Sequence, residues 1–265
     1  MTSRERFAAL SRGLAVGVAA TEGLLGLVLL GSASDDAVAR RDEWSDHDFF
    51  AVVEAGRAAG LRPDLSWLPD PDRIVLTARE GEIGFAALYD DGHVLEFAVA
   101  EVDELAGAVA GDATVVVDDA DGSVARLVAQ ARHRADVADR FDPGNDARLV
   151  LLKLLIGVGR ARRGELLNAG ELVRIWAVRH LVRTIRGLDG AASGARDAID
   201  PVRRFEVDFP DWGERIASAV AADVEAAARA ILRLMRERLE PGWSDFPSAA
   251  ADTVQRRLGW SDLEG

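Results

Sequence analysis

The chain lacks cysteine, has few aromatic residues and carries fewer basic than acidic side chains. None of its 265 residues is cysteine, aromatic residues make up 6%, and 32 Lys and Arg stand against 45 Asp and Glu, for a net charge of −13. The absence of cysteine excludes a disulfide framework and a cysteine-ligated metal site. The net charge of −13 argues against a general nucleic-acid binder, which needs a basic face to meet phosphates. A hydrophobic content of 49% excludes disorder, and the length allows one large domain or two small ones.

Lysine is almost absent and the acidic excess is uneven. Residues 1–121 carry 24 acidic and 9 basic side chains, whereas residues 122–265 carry 21 and 23. Of the 32 basic residues 31 are Arg, and the single lysine, Lys153, lies in the apolar stretch LVLLKLLIGVG. Either this lysine lays its stem along a helix surface, or its compact ammonium group reaches a bound phosphate.

The N-terminal segment imitates a secretory signal peptide. Arg4, Arg6 and Arg12 precede an apolar run over residues 13–30, which is followed by small residues. Glu22 interrupts the run and divides it into a helix and a strand, and no other stretch approaches the ~20 apolar residues of a membrane span. The sequence therefore predicts a cytoplasmic protein without a membrane partner, with export as the alternative.

Hydrophobic patterning predicts an α+β fold. Strands are predicted in the first part at Leu24–Leu30, His47–Val53, Arg73–Thr77, Glu82–Tyr89, His93–Ala100 and Thr114–Val117. Helices are predicted at Ser3–Ala20, Asp35–Arg41, Asp103–Val109, Ser123–Arg140, Ala147–Arg162, Ala169–Arg186, Asp211–Leu239 and Ser248–Leu258. We therefore expect an α/β domain with a mixed sheet over residues 1–121 and a helical bundle over residues 122–265.

Two aspartates open the second predicted strand. Asp46 and Asp48 are two residues apart on a strand, so they point to the same face while His47 points to the other, where we expect it to pack beneath the sheet. Neighbouring carboxylates repel each other unless a cation lies between them, and hard oxygen ligands suit Mg²⁺. Gly31 and Ser32 end the preceding strand, where a glycine backbone and a hydroxyl favour a close phosphate.

A third carboxylate, Glu96, interrupts an otherwise apolar strand. On its own face it is followed by Ala98 and Ala100, and a charge there is costly unless it is paired or bound to metal. The alternative is an edge strand from which Glu96 faces water.

Together these residues resemble a known family. A Gly-Ser pair, a spacer, Ser-Asp-x-Asp opening a hydrophobic strand and a later inward carboxylate are similar to the nucleotidyltransferase superfamily that includes DNA polymerase β. Within it, the bacterial aminoglycoside and lincosamide nucleotidyltransferases are most similar. The resemblance is carried by GSASDDAVARRDEWSDHDFF and LEFAVAEVDEL, and more weakly by KLLIGVGRARRGELLNA and RRFEVDFP.

The resemblance implies a fold, a reaction and a role for each residue. Asp46 and Asp48 match aspartates that bind two Mg²⁺ ions carrying a nucleoside triphosphate, and Glu96 matches a third metal ligand or the base for the acceptor hydroxyl. Gly31 and Ser32 match contacts to the triphosphate, a contact that a helical lysine also makes in some relatives, as Lys153 would. The implied reaction moves AMP from ATP to a hydroxyl of a small molecule such as a cationic aminoglycoside antibiotic, and releases pyrophosphate.

One departure from the family pattern leaves an alternative open. Many relatives have Arg soon after the Gly-Ser pair, whereas Asp35 and Asp36 follow here, so Arg40 or Arg41 would have to replace it. The rival functions are a module of a toxin–antitoxin pair acting on a protein and a non-catalytic nucleotide-binding member. The acceptor hydroxyl, the preferred base and the oligomeric state are left open by the sequence. The remaining candidates, His133, His180 and the scattered tryptophans of the second half, are expected to be structural.

Overall fold

The computed structural model describes residues 2–138, 141–189 and 200–260. Six strands form one sheet: β1 (Leu24–Leu30), β2 (His47–Val53), β3 (Ile74–Glu80), β4 (Gly84–Tyr89), β5 (Val94–Glu101) and β6 (Ala113–Val117). The α-helices before residue 139 are α1 (Ser3–Ala20), α2 (Ala58–Leu61) and α3 (Ser123–Ala138). Those after it are α4 (Pro143–Arg162), α5 (Leu166–Gly170), α6 (Val178–Asp189), α7 (Phe205–Asp208), α8 (Pro210–Val220), α9 (Val224–Arg238) and α10 (Ser248–Leu258). Within these described ranges no helix is both long and apolar enough to cross a membrane.

The sheet is mixed, with strand order β3-β4-β5-β2-β1-β6. Only the central β2 and β5 pair in parallel, and the other neighbours are antiparallel. The α+β class predicted from the pattern is therefore confirmed. Parallel neighbours bring their N-terminal ends to the same edge of the sheet, which is where the predicted carboxylates lie.

Helices cover both faces of the sheet. The apolar stripe of α1, which includes Phe7, Leu10 and Leu14, packs with alternate side chains of β2 and β5 such as Phe49 and Phe97. On the opposite face, α3 packs on side chains near the C-terminal ends of the same strands. Each large apolar side chain buried in this way contributes about 1.5–3 kcal/mol.

The helices after residue 139 pack around a separate apolar core. Side chains from α4, α6 and α9 dominate it. Two of these helices begin at an aspartate cap: Asp142 accepts a hydrogen bond from Asn145 N, and Asp223 accepts one from Ala226 N. An aspartate in this position satisfies a backbone donor that the first helical turn leaves unpaired.

The chain divides into two compact units, Met1–Ala138 and Asp139–Gly265. The predicted domains meet instead at 121–122, the point at which helical patterning begins. The difference is α3, which packs on β1 and β6 and so belongs to the first unit although its pattern resembles that of the second part. The end of the predicted helix Ser123–Arg140 and most of the Gly/Ala/Ser stretch at 187–198 lie outside the described residues.

Several predicted helices differ from the structure, and the one predicted at Asp35–Arg41 is a 3-10 helix over Asp35–Arg40. The helix predicted at Asp103–Val109 is wrong, since residues 102–107 form turns. The helix predicted over Asp211–Leu239 is two helices, α8 and α9, because Asp223 starts a new one. The helix predicted at Ala169–Arg186 contains a π-helical segment, Glu171–Ala177, between α5 and α6.

Candidate metal centre

The three predicted carboxylates come together at one edge of the sheet. Asp48 pairs with Leu30 of β1 on one side and with Glu96 of β5 on the other, and Asp46 lies just before β2. One carboxylate oxygen from each of Asp46, Asp48 and Glu96 lies within 4.8 Å of the others. We call this group the carboxylate triad. Parallel pairing places Asp48 and Glu96 side by side because both strands present the same face at that register.

The triad lies on the same face of the sheet as α3. The helix covers this face near the C-terminal ends of β2 and β5, whereas the triad lies near their N-terminal ends. Val52, Ala98 and Ala100 on that face are buried against α3. Asp46 and Asp48 are half-buried and Glu96 is exposed. The sheet therefore offers an open, acidic end beside a closed, apolar one.

Glu96 does not lie on an edge strand. Its strand β5 is paired on both sides, with β2 and β4, so the edge-strand alternative is wrong. The side chain is nevertheless exposed, as that alternative required, since the residue opposite it in β4 is the small Ala86. The exposed Glu96 carboxylate is directed toward the carboxylates of Asp46 and Asp48.

Gly31 and Ser32 adjoin the triad. Ser32 Oγ donates a hydrogen bond to the backbone oxygen of Asp46 at 3.0 Å and lies 3.4 Å from its Oδ1. Gly31 has a φ of +49°, and a Cβ built on it would lie 3.2 Å from Asp48 Oδ2. The glycine is therefore needed for its backbone conformation and for the close approach of the aspartate.

Arg41 holds the loop that carries Gly31 and Ser32. Its Nε donates to Ser32 O at 3.0 Å, and its Nη2 donates to Ala33 O at 3.1 Å and Ser34 O at 3.3 Å. The Ser32 amide lies in the first turn of a short 3-10 helix over Gly31–Ala33 and donates to no group among the described residues, and such a first-turn amide suits an anion. Burial lowers the pKa of the Arg41 guanidinium.

Neither arginine expected to replace the family's Arg is free to leave the loop. Arg41 is engaged by the loop carbonyls, and Arg40 forms an ion pair with Asp112. Of the two aspartates that precede these arginines, Asp36 pairs with Arg132 at 2.6 Å. The sequence pattern does not reveal that Arg41 has this loop-holding role, because it depends on contacts with backbone oxygens.

Trp44 forms part of the surface beside Asp46. Its side chain is 86% exposed, and its amide donates to Asp42 Oδ1 at 2.9 Å. Ser45 Oγ closes the same turn by accepting from Asp42 N at 3.0 Å. Sequence reasoning missed this residue, although a tryptophan in the polar stretch RRDEWSD is itself a signal, since an indole in water normally serves an interaction.

Behind the triad, a histidine pair closes the opposite face. His47 is fully buried, as predicted, with Nδ1 2.7 Å from His93 Nε2 and Nε2 2.9 Å from Ser11 Oγ. The ring of Phe7 stacks on it at 3.8 Å. Burial lowers the pKa of His47 to about 3, with a further contribution from His93, so the imidazole is neutral at neutral pH. This histidine supports the strand and is no part of the triad.

Lys153 lies on α4, partly buried, with Nζ 5.9 Å from the ring centre of Trp176. That separation fits a cation–π contact, which agrees with a lysine lying along the helix surface. Its contact with a triphosphate stays a prediction. His180 lies 2.8 Å from the buried Asp146 carboxylate and His133 is exposed, as expected of structural histidines.

The donor set of the carboxylate triad fits a hard divalent cation. All three ligands are carboxylate oxygens, and Asp46 and Glu96 form no ion pair with Arg or Lys among the described residues. Converging carboxylates repel each other, and Mg²⁺ would relieve that repulsion. In the part of the chain that the structure describes, no other group of three such side chains meets this spacing.

Comparison with known proteins finds structural likeness but no match in sequence. No protein-family model matches the chain, and no curated protein matches it either. A solved structure of an aminoglycoside 6-adenyltransferase from Bacillus subtilis aligns over 94% of this chain and 90% of that one, with 13% identity and a TM-score of 0.27. The functional argument below therefore rests on the residues of the site.

Proposed function

We propose that this protein is a Mg²⁺-dependent nucleotidyltransferase. It transfers AMP from ATP to a hydroxyl of a small molecule, with a cationic, aminoglycoside-like acceptor as the favoured class, and releases pyrophosphate. The observation that carries the proposal is the convergence of Asp46, Asp48 and Glu96 within 4.8 Å beside Gly31 and Ser32.

Each residue of the site has a proposed part in the reaction. Asp46 and Asp48, with Glu96 as a third ligand or as the base, would hold two Mg²⁺ ions, which would supply charge neutralisation for the triphosphate and a lowered pKa for the acceptor hydroxyl. The Ser32 amide binds a phosphate oxygen, the Ser32 hydroxyl ties this loop to Asp46, and Arg41 keeps the loop in place. Lys153 remains a proposed contact to the triphosphate.

The reaction is an in-line displacement. The acceptor oxygen forms a bond to the α-phosphorus, the bond from that phosphorus to the pyrophosphate oxygen breaks, and the hydroxyl proton leaves to a base. Glu96 serves either as that base or as a third metal ligand, and its exposure allows both. Since phosphoryl transfer needs little covalent chemistry from a protein, positioning by the fold supplies most of the rate.

The charge of the first part supports a cationic acceptor. Residues 1–121 carry 24 acidic against 9 basic side chains, and the exposed Glu96 lies in this part. A surface of one sign raises the local concentration of ligands of the other sign. The exposed ring of Trp44 beside Asp46 offers a flat surface to a base or a sugar ring.

Transfer is tested with ATP labelled at its α-phosphate, Mg²⁺ and a panel of hydroxyl acceptors that includes aminoglycosides. We expect label to move to at least one acceptor, and Asp48→Asn to lower the rate by ~10²–10³-fold because it removes a charged metal ligand. Asp103→Asn, an exposed acidic position in the turns after β5, is the matched control and should keep the wild-type rate. Equal transfer by Asp48→Asn and the wild type would refute the proposal, and label on a co-purifying protein instead would favour the toxin–antitoxin alternative.

A further inference from the structure

Four arginines line a pocket between the C-terminal ends of α4 and α10. The pocket has a volume of about 410 Å³. Its wall is made by Leu155, Ile156, Gly159, Arg160, Arg162, Arg163, Arg257 and Leu258. We call it the arginine pocket. It is built entirely from the second unit, whereas every residue of the carboxylate triad belongs to the first.

The positive charge of this pocket is only half compensated. Glu165 pairs with both Arg160, at 2.6 Å, and Arg163, at 3.0 Å. Glu225 pairs with Arg162, whose Nε lies 3.0 Å from Glu225 Oε2. Arg257 is exposed and pairs with no carboxylate among the described residues. Counted over the described residues alone, four guanidinium groups against two carboxylates leave two positive charges, in a chain whose net charge is −13.

Helix-end electrostatics do not account for this arrangement. The C-terminus of a helix carries about half a negative charge, so one basic side chain in the last turn of each helix is enough to offset it. Here two helix ends share four arginines around one concave surface. Like charges placed together repel one another unless an anion lies between them.

The chemistry of the lining selects phosphate. The planar guanidinium fork matches two phosphate oxygens at once, which makes arginine the usual residue for phosphate recognition. The volume falls in the ~300–1,000 Å³ range of small-molecule pockets and exceeds the space that a bare anion needs. Leu155 and Ile156 add an apolar side that can accept an organic group. We propose that the arginine pocket binds a phosphate-bearing small molecule, at a site separate from the carboxylate triad.

The test is calorimetric titration of the full chain with ADP and, separately, with inorganic pyrophosphate, both in EDTA. Without divalent cations the carboxylate triad repels phosphate, so binding under this condition reports on the arginine pocket. We expect binding of at least one probe, weakened about tenfold in Arg257→Gln through loss of a charged hydrogen-bond donor. Tighter binding of ADP would identify an organic phosphate as the ligand class, and tighter binding of pyrophosphate an inorganic one.

Arg256→Gln is the matched control. Arg256 is exposed in the same last turn of α10 and does not line the pocket, so its loss should leave affinity unchanged. Asp48→Asn should also bind as the wild type does in EDTA, which keeps this result independent of the proposed transferase activity. The proposal is overturned if neither probe binds at millimolar concentration, or if Arg256→Gln weakens binding as much as Arg257→Gln.

Discussion

Gly31 brings the backbone that follows β1 close to Asp48 of the carboxylate triad. Its φ of +49° is unfavourable for residues with a Cβ, and an added Cβ would lie 3.2 Å from Asp48 Oδ2. Neither property is visible in sequence spacing, which points to Gly31 only through its place at the end of a strand.

Gly31→Ala should therefore lose both stability and magnesium-dependent nucleotide binding. The left-handed backbone costs about 1–2 kcal/mol in the free energy of unfolding, and the methyl group displaces Asp48. Gly56→Ala is the matched control, since Gly56 has a φ of +80° with nothing within 4 Å of an added Cβ. Chemical denaturation should show a similar loss for both variants, while calorimetry with Mg²⁺ and an ATP analogue should show weakened binding for Gly31→Ala alone. Unchanged binding by Gly31→Ala would contradict the contact with Asp48.

At the scale of elements, the predicted bounds of helices and strands are most accurate where the local sequence signals agree. The bounds of α1, β1, β2 and α10 match the predictions, because each has a clear apolar pattern and an end marked by a turn residue or a polar cap. The predicted bounds are wrong where a polar side chain caps a new helix inside a continuous apolar pattern. Asp223, for example, caps α9 inside the helix predicted over Asp211–Leu239. The start of α4 at Pro143 rather than Ala147 has the same kind of cause, because Asp142 caps the helix and Pro143 fits its first position.

The packing of α1 against β2 and β5 should be sensitive to acid. The pKa of His47 is lowered to about 3 by burial, whereas in the unfolded chain it is about 6.5. Between these values the unfolded state binds the extra proton, so the free energy of unfolding falls as pH decreases, by up to about 1.4 kcal/mol per pH unit. Denaturation at several values between about pH 7 and pH 5, above the range in which most carboxylates titrate, should reveal this slope.

His47→Gln should reduce that slope, and His133→Gln should leave it unchanged. His133 is exposed on α3, whereas Gln at position 47 keeps a polar group beside Ser11 and His93 without the titrating ring. The same slope in His47→Gln as in the wild type would show that the buried histidine does not govern acid sensitivity. Part of the slope should persist, because burial also lowers the pKa of His93.

For the whole molecule, the sequence pointed to the three carboxylates that the structure brings together, but not to the register that does so. Asp48 and Glu96 become neighbours only through the parallel register of β2 and β5, which no local pattern encodes. The sequence alone shows the unequal distribution of charge between residues 1–121 and 122–265. Its structural counterparts are the carboxylate triad in the first unit and the arginine pocket in the second, where the pattern RARRG by itself indicates no more than a helix end.

The most direct test of the central claim is the effect of Mg²⁺ on affinity for a non-hydrolysable ATP analogue, measured by calorimetry in the Arg257→Gln background so that the arginine pocket contributes little. With the carboxylate triad intact, Mg²⁺ should strengthen binding at least about tenfold, because the cation joins the carboxylates to the triphosphate. Asp103→Asn should keep this gain and Asp48→Asn should lose it. The same gain in Asp48→Asn would contradict a metal centre built on the triad.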